Sequence, residues 1–324
     1  MAYLNLDNNM QKNTYLVAAV LVAIILVATS AGFYFSNRSA SSTSSTIGQS
    51  STSKVQIVAA ENFWGSLISQ LGGTHVHVLS IVSDPNADPH EYESNAADAE
   101  AIANASFVIV NGAGYDTWAL SLIAADNNPN QKVLNVQELI GQQVGANPHF
   151  WYSPSYVNET VKAMYSDILL IDQANAAYYT QQYVTLNISL GAYNERIVEI
   201  KQQFAGTKVA STESIFEYLA NATGLDLISP PAFMEAVAEG NDPPAQSVVQ
   251  FEQQLQSGEV SVLVYNEQTV TPLTQNIKAL AAQNNVTIVG VTETIQPPDV
   301  SFQDWMNAEL ISLQNALNAK NLGQ

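Results

Sequence analysis

The sequence has no cysteine among its 324 residues, so disulfide bonds, thiolate zinc sites, cysteine nucleophiles and iron–sulfur clusters are all excluded. A bound metal would depend on His, Asp or Glu, together with oxygen donors such as backbone carbonyls or Tyr. Basic residues are also scarce, because 10 Lys and Arg stand against 29 Asp and Glu and give a formal charge of −19. We expect no nucleic-acid partner and no anionic lipid surface, since no basic stripe can meet their phosphates. An acidic chain is instead compatible with attracting cations.

Motifs of common enzyme classes are absent as well. The chain contains no H-E-x-x-H, no G-x-S-x-G and no P-loop. The G-A-G-Y stretch is too short for a dinucleotide fingerprint and lacks its third glycine. Gly112 and Gly114 are better explained by a tight turn between a strand and a helix. We expect no catalytic residues and no enzymatic activity.

One long hydrophobic run lies near the start of the chain. Residues 14–35 carry no charge and, as a helix, are long enough to cross a hydrocarbon core of about 30 Å. Secretory signal peptides usually have a shorter apolar region, so this run predicts an uncleaved transmembrane anchor, with cleavage near residues 28–30 as the alternative. Residues 1–13 form a short segment before it, and no cysteine is present to accept a lipid.

A Ser/Thr-rich tract follows the hydrophobic run. Residues 36–54 contain almost nothing to bury, which predicts a flexible stalk. Together with six Asn-X-Ser/Thr sequons, an anchor and a stalk indicate a folded part outside the cell. We therefore expect a cell-surface protein anchored in the cytoplasmic membrane.

From residue 55 onwards, short Val- and Ile-rich runs alternate with helical patterns, which predicts βαβ units and mostly parallel sheets. The expected fold class is α/β, with two lobes over residues 55–171 and 205–324, each holding a four-stranded sheet and flanking helices. Strands are predicted at 55–59, 76–82, 106–111, 133–136, 207–210, 225–228, 260–265 and 286–291. Helices are predicted at 62–71, 95–104, 117–125, 215–222, 245–257, 272–283 and 302–317, with Asn95 as an N-cap.

The segment between the predicted lobes has an unusual composition. Residues 172–204 contain no proline and a single glycine, Gly191. A continuous helix here would be about 50 Å long. A coiled coil is the alternative, but the apolar positions keep no heptad. We expect one long helix that joins the lobes and restricts hinge motion between them.

Four residues share one kind of position, because each follows a predicted strand. His90 and His149 lie in loops of the first half, and Glu213 and Glu293 lie in loops of the second half. Ligands of open α/β sheets bind at the carboxyl ends of the strands. Two neutral imidazoles and two carboxylates balance a divalent cation and suit Zn²⁺ or Mn²⁺. Four protein ligands leave no open position, which favours binding of the ion over catalysis.

Each of these residues has a simpler explanation as well. The histidines could be ordinary loop residues beside prolines, and Glu213 could be a carboxylate favoured at a helix N-terminus. Tyr115 follows a strand and could close over the site. Three kinds of residue complete the set of candidates. The carboxylates Asp88, Glu91 and Asp299 could compete as ligands, and the strand residues His75 and His77 are expected at the surface. Trp118 and Trp151 are expected to pack or to form cleft walls.

Seven stretches in order resemble one family. They are AAENFWGSLISQLGG, DPNADPHEYE, ADAEAIANASFVIVNGAGYDTWA, NPHFWYSP, STESIFEYLANATGL, NDPPAQSVVQFEQQLQSGEV and VYNEQTVTPLTQNIKALA with the later TETIQPP. Together they resemble the metal-binding solute-binding proteins of ABC importers for zinc and manganese, from about residue 54 to residue 318. The resemblance implies two α/β lobes joined by a long helix, with one metal ion between them held by His90, His149, Glu213 and Glu293.

The chain departs from the family pattern at several points. Zinc members often have His at the third ligand position and manganese members Glu, and here it is Glu213. The fourth position is commonly Asp, and Glu293 is one methylene longer, which leaves its denticity open. The His-rich acidic loop of many zinc members and the lipid-accepting cysteine are both missing.

The resemblance implies a monomeric extracytoplasmic receptor that captures Zn²⁺ or Mn²⁺ and delivers it to an ABC permease and its ATPase. We favour zinc, because the TETIQPP stretch resembles members described as zinc carriers. A metal-dependent hydrolase, with Glu91 beside His90 as its base, is one alternative. A cell-surface adhesin on the same scaffold, concerned with cell adhesion, is the other.

Overall fold

The structure is a computed structural model that describes residues 54–322 without residues 87, 88 and 127. The predicted anchor at 14–35, the segment before it, nearly all of the predicted stalk, and Asp88 lie outside the described residues. Within the described residues, no helix combines the length and the apolar character needed to cross a bilayer.

Two parallel four-stranded sheets form the framework of the described chain. In the first sheet the strand order is β2-β1-β3-β4, and in the second it is β6-β5-β7-β8. All neighbouring strands pair in parallel. The strands are β1 Val55–Glu61, β2 Val76–Val82, β3 Phe107–Val110, β4 Lys132–Asn135, β5 Lys208–Ser211, β6 Asp226–Leu227, β7 Val262–Asn266 and β8 Thr287–Val291. The predicted fold class is therefore confirmed. We call the part with β1–β4 the first lobe and the part with β5–β8 the second lobe.

The central strands are buried along their whole length and mostly apolar, because helices cover both faces of each sheet. All four residues of β3, FVIV, are buried, and so are all five of β7, VLVYN. Strands buried on both faces carry such continuous hydrophobic runs instead of an alternating pattern. One large core cluster includes residues of both lobes, among them Ile57 of β1 and Val264 of β7. The two lobes therefore share a hydrophobic core.

The helices connect successive strands and cover the sheets. They are α1 Asn62–Gly72, α2 Ala96–Asn104, α3 Thr117–Asp126, α4 Val136–Leu139, α5 Pro154–Ile171, α6 Ala176–Ser189, α7 Gly191–Phe204, α8 Glu217–Thr223, α9 Pro231–Ala238, α10 Ala245–Gln256, α11 Pro272–Gln283 and α12 Phe302–Leu322. Single 3-10 turns lie at Gly73–His75, Pro89–Glu91, Phe150–Tyr152, Gln173–Asn175 and Ser214–Phe216.

The start of α2 follows from its sequence. The Asn95 side chain accepts from the Ala97 amide at 2.8 Å, and Asp98 Oδ2 accepts from the Asn95 amide at 2.8 Å. These two bonds form a capping box, which satisfies amide groups that the first turn of a helix leaves unpaired. The predicted N-cap at Asn95 is confirmed.

The segment predicted as one helix over 172–204 is instead two consecutive helices, α6 and α7. They meet at Leu190, whose amide bonds to the Leu186 carbonyl at 2.9 Å, while the Asn194 amide bonds to the Leu190 carbonyl at 3.1 Å. The helical bonding pattern thus continues across the junction. Gly191 stands at the junction, and glycine weakens a helix by about 1 kcal/mol relative to alanine.

Helix α12 ties the two lobes together. Arg196 of α7 donates to Asn307 Oδ1 at 2.8 Å and to Gln314 Oε1 at 2.7 Å. The amide of Phe302, at the start of α12, donates to Ser66 Oγ of α1 at 3.0 Å. Helix α12 is therefore hydrogen-bonded both to α1 of the first lobe and to α7 between the lobes.

Candidate metal centre

Three of the four predicted ligands meet at one point. His90 lies in the 3-10 turn after β2, His149 immediately precedes the 3-10 turn Phe150–Tyr152, and Glu293 follows β8. Among the described residues, one ligand atom from each of these side chains lies within 4.8 Å of the others. Parallel topology explains the meeting, because the carboxyl ends of all strands in a sheet lie at one edge.

Two of the distances among these three side chains suit one shared ion. Glu293 Oε2 lies 3.4 Å from His90 Nε2 and 3.9 Å from His149 Nε2. Two atoms that each bind an ion at about 2 Å lie at most about 4 Å apart. Both separations fall inside that limit. His149 and Glu293 are fully buried, whereas the side chain of His90 is 22% exposed and provides contact with solvent.

Glu213, the fourth predicted ligand, lies one amide group away from this cluster. The side-chain nitrogen of Asn266, at the end of β7, donates to Glu213 Oε1 and, at 2.7 Å, to Glu293 Oε1. All three residues are fully buried. A single neutral amide thus bridges two buried carboxylates. The structure places Glu213 beside the cluster, outside the group of three atoms that lie within 4.8 Å.

His149 is held in a form that can bind a metal. Burial lowers the pKa of its imidazole well below the usual range, and the neighbouring His90 lowers it further. Asn147 Oδ1 accepts from the His149 amide at 3.1 Å and lies 2.7 Å from His149 Nδ1. With Nδ1 as the donor, the lone pair of Nε2 faces Glu293. A second hydrogen bond of this kind commonly fixes the tautomer of a metal-binding histidine.

Tyr115 lies directly against the cluster. Its hydroxyl donates to Glu293 Oε2 at 2.6 Å, and its ring contacts the His90 ring edge-on, with 4.7 Å between centroids. The turn before it has positive φ at Gly112, Ala113 and Gly114. A Cβ on Gly112 would lie 2.4 Å from Asn135 Oδ1, so this position also has no space for a side chain. The predicted tight turn is present, and it presents Tyr115 to Glu293.

A buried carboxyl pair holds this turn in place. Asp116 accepts from the Asn111 amide at 2.6 Å and from the Gly112 amide at 2.8 Å. Glu61, the last residue of β1, is buried and interacts electrostatically with Asp116. Burial raises the pKa of Glu61 well above its usual range, and the charge of Asp116 raises it further. Burial thus favours the protonated form of Glu61, and Asp116 accepts from the two backbone amides.

Replacing Asp116 with asparagine should destabilise the protein by about 1–3 kcal/mol. An asparagine side chain has one acceptor oxygen, so its NH₂ group would face a buried backbone amide, and an unsatisfied buried donor costs about that much. The measurement is the urea midpoint of unfolding. Asp126→Asn, which removes an exposed carboxylate at the end of α3, is the control. Equal midpoints for the two variants would show that Asp116 does not hold the turn.

The loop that carries Glu293 rests on a second polar network. The Thr292 amide donates to Glu309 Oε1 at 3.0 Å. The hydroxyl of Tyr152 lies 2.8 Å from the Thr292 carbonyl and 2.7 Å from Glu309 Oε2. A phenol has only one hydrogen to donate, so both contacts are satisfied when Glu309 is protonated and donates to Tyr152. Desolvation raises the pKa of Glu309 to about 8, in agreement with this arrangement.

The remaining candidates have other positions. His77 belongs to β2, and the ring of His75 packs against Tyr178, with 4.5 Å between centroids. Both lie toward the amino end of β2, away from the edge where the cluster forms. Trp151 is buried and stacks on Phe63 at 3.9 Å.

The other predicted candidates are either exposed at the surface or packed against neighbouring side chains. Trp118 packs on Tyr92 with 5.0 Å between ring centroids. Glu91 is exposed, although it follows His90 directly. Neither Glu91 nor Asp299 belongs to the cluster found among the described residues.

Sequence reasoning missed several residues of the site's surroundings, namely Glu61, Asp116, Asn147, Asn266 and Glu309. Asn266 is the last residue of β7 and Glu61 the last of β1. The four predicted ligands were chosen because each follows the carboxyl end of a strand. The same criterion would have selected Asn266 and Glu61 as well. The contacts of Glu309 cross from α12 to a loop and have no signal in the local sequence.

Two parallel sheets that share a core, with ligand-forming side chains meeting at their strand ends, define a two-lobed solute-binding protein. The chain belongs to the family described as ZnuA, zinc-uptake complex component A, periplasmic, whose model matches residues 57–316. The resemblance noted in the sequence is therefore confirmed.

Curated relatives share limited identity with the chain. The manganese-binding lipoprotein MntA of Halalkalibacterium halodurans is 24% identical over 186 residues, which cover 54% of this chain and 59% of that protein. The high-affinity zinc uptake system protein ZnuA of Bacillus subtilis is 19% identical over 263 residues, or 75% of this chain and 81% of that protein. The first of these matches thus spans less than two thirds of the relative's length.

Solved structures share the fold. The periplasmic zinc-binding protein TroA from Treponema pallidum superimposes with a TM-score of 0.69 at 18% identity, covering 82% of this chain and 99% of that one. The solute-binding protein FpvC from Pseudomonas aeruginosa in complex with Mn²⁺ gives a TM-score of 0.68 at 20% identity, covering 82% and 99%.

Proposed function

We propose that this protein is an extracytoplasmic receptor that captures one divalent transition-metal ion and delivers it to an ABC permease and its ATPase. The observation that carries the proposal is the convergence of His90, His149 and Glu293 on one buried point, drawn from both lobes. Family membership supports the transport role. The ion is the transported ligand, and no chemistry is performed on it.

The proposed ligands are His90, His149, Glu213 and Glu293. Two neutral imidazoles and two carboxylates match the charge of a divalent cation and the preferences of Zn²⁺ and Mn²⁺. Glu213 would join the other three by a small movement across Asn266, which already bonds to both carboxylates. We propose zinc as the ion in preference to manganese.

A metallohydrolase is a weaker explanation of the same residues. Such an enzyme needs an open coordination position and a general base close to the ion. Glu91 is exposed, and its neighbour His90 is the one partly exposed member of the cluster. The proposed set of four protein ligands would leave no position for an attacking water.

The proposed setting of the receptor follows from the N-terminal sequence. Residues 14–35 would anchor a monomer in the cytoplasmic membrane, and residues 36–54 would hold the folded part outside it. The anchor takes the place of a lipid, since the chain has no cysteine to carry one.

The test is the metal content of the full chain, purified in mild detergent without added metal. We expect about one equivalent of zinc per chain by elemental analysis, and competition against a chromophoric chelator should give tighter binding of Zn²⁺ than of Mn²⁺. Manganese as the bound ion would overturn the preference for zinc. No measurable binding of either ion by the chelator-stripped protein would overturn the proposed function.

A further inference from the structure

Asn147 is bonded to both lobes at the edge of the site. Its side-chain nitrogen donates to the Ser214 carbonyl at 2.8 Å and to Glu217 Oε2 at 2.7 Å. Its backbone carbonyl accepts from the Tyr218 hydroxyl at 2.9 Å. These partners lie 67 to 71 positions further along the chain, in the 3-10 turn Ser214–Phe216 and the start of α8 in the second lobe. Asn147 itself lies in the first lobe, two residues before His149.

These contacts fix which way the Asn147 amide points. A backbone carbonyl can only accept a hydrogen bond, so the atom facing Ser214 must be the amide nitrogen. The oxygen of the same amide therefore faces His149, 2.7 Å from Nδ1. An oxygen in that place requires a hydrogen on Nδ1, which leaves the Nε2 lone pair for a metal ion.

We infer that Asn147 is a positioning residue that couples contact between the lobes to the metal-binding tautomer of His149. The inference rests on the proposed function and deepens it. When the second lobe contacts Asn147, Ser214 and Glu217 hold the nitrogen of its side-chain amide, and the amide oxygen selects the metal-binding tautomer of His149. Loss of the contact between the lobes removes the two acceptors that fix the orientation of this amide. A reversed amide would present its nitrogen to Nδ1, select the other tautomer and direct an Nε2 hydrogen into the site.

Glu217 makes this link testable without disturbing the interior. It is exposed and lies on the wall of a cavity of about 610 Å³ that also contacts His90. Glu239 lines the same cavity and is exposed, and its carboxylate accepts from Asn241 instead of Asn147. Removing either carboxylate changes the charge of the cavity equally, but only Glu217 bonds to Asn147. Glu239→Ala is therefore a matched control for Glu217→Ala.

The first experiment reads the tautomer in the metal-free full chain in mild detergent. The chain has four histidines, so ¹⁵N-histidine labelling with long-range ¹H–¹⁵N correlation resolves each imidazole. We expect a protonated Nδ1 on His149 in the wild type and a mixture of tautomers in Asn147→Ala. Asn147→Asp should keep the wild-type pattern, because a carboxylate only accepts. A wild-type pattern in Asn147→Ala would overturn the inference.

The second experiment measures Zn²⁺ affinity in a double-mutant cycle. Loss of a residue that orients a metal ligand typically costs about 10- to 100-fold in affinity, and we expect Asn147→Ala to fall in that range. Glu217→Ala should weaken binding by several-fold and Glu239→Ala by less. In the Asn147→Ala background, Glu217→Ala should add no more than Glu239→Ala does. Independent, multiplying effects would refute the coupling. Failure of the wild type to bind zinc would instead refute the proposed function, and the tautomer result would stand apart from it.

Discussion

Replacing Glu293 with alanine should abolish tight metal binding, lowering the affinity by more than about a hundredfold. The Oε2 atom of Glu293 is the one that faces both imidazoles, at 3.4 Å from His90 and 3.9 Å from His149. Loss of a residue that merely orients a metal ligand costs about 10- to 100-fold in affinity. Glu293 is itself a proposed ligand that faces both imidazoles, so its loss should cost more. The measurement is a competition titration of the full chain with Zn²⁺ and a chromophoric chelator.

Two further variants make this result specific. Glu267→Ala removes an exposed carboxylate at the same edge of the second sheet, and it should bind zinc like the wild type. Glu293→Asp shortens the side chain by one methylene and supplies the residue that is common at this position in the family, so it should retain part of the affinity. Equal affinities of Glu293→Ala and Glu267→Ala would remove Glu293 from the site.

Replacing Glu309 with glutamine should flatten the pH dependence of stability on the alkaline side. The pKa of Glu309 is about 8 in the folded protein and near 4.5 in an unfolded chain. Between these values the folded state holds a proton that the unfolded state has released. Stability from this group is therefore complete below the unfolded value and is lost as pH rises through about 8, at up to about 1.4 kcal/mol per pH unit.

The measurement for Glu309 is the free energy of unfolding of the metal-free protein in urea at pH 6, 7, 8 and 9. The wild type should lose stability from pH 6 to about pH 8 and little more by pH 9. Glu309→Gln, which is neutral at every pH, should lose less. Glu195→Gln, a change of an exposed glutamate on α7, should follow the wild type. Parallel curves for wild type and Glu309→Gln would mean that Glu309 is already ionised at pH 6.

The sequence predicted the fold well because the strands are uniform in character. A run such as FVIV in β3 can form little other than a buried strand, and the alternation of such runs with helical patterns defines a parallel sheet. The positions of His90 and His149 followed from the same topology, since strand ends share one edge. Both predictions depend only on where each strand ends and on the parallel direction of the strands, which the local sequence can indicate.

Contacts between distant residues were outside the reach of sequence reasoning. The pair formed by Glu61 and Asp116 joins the end of β1 to the turn after β3, and each residue alone resembles an ordinary surface carboxylate. The amide of Asn266 bridges Glu213 and Glu293 across 53 and 27 positions. Such pairs depend on side-chain packing in three dimensions, and a polar residue at a strand end does not reveal its partner.

The matching strand orders of the two sheets bear on the origin of the molecule. Each sheet places its second strand on one side of its first and its third and fourth strands on the other. Glutamates occur at or just after the ends of β1 and β5, at Glu61 and Glu213. Asparagines occur at or just after the ends of β3 and β7, at Asn111 and Asn266. This correspondence is what duplication and fusion of one ancestral four-stranded unit would produce. On that view, one descendant glutamate came to lie beside Asp116, while the other came to lie beside the proposed metal site.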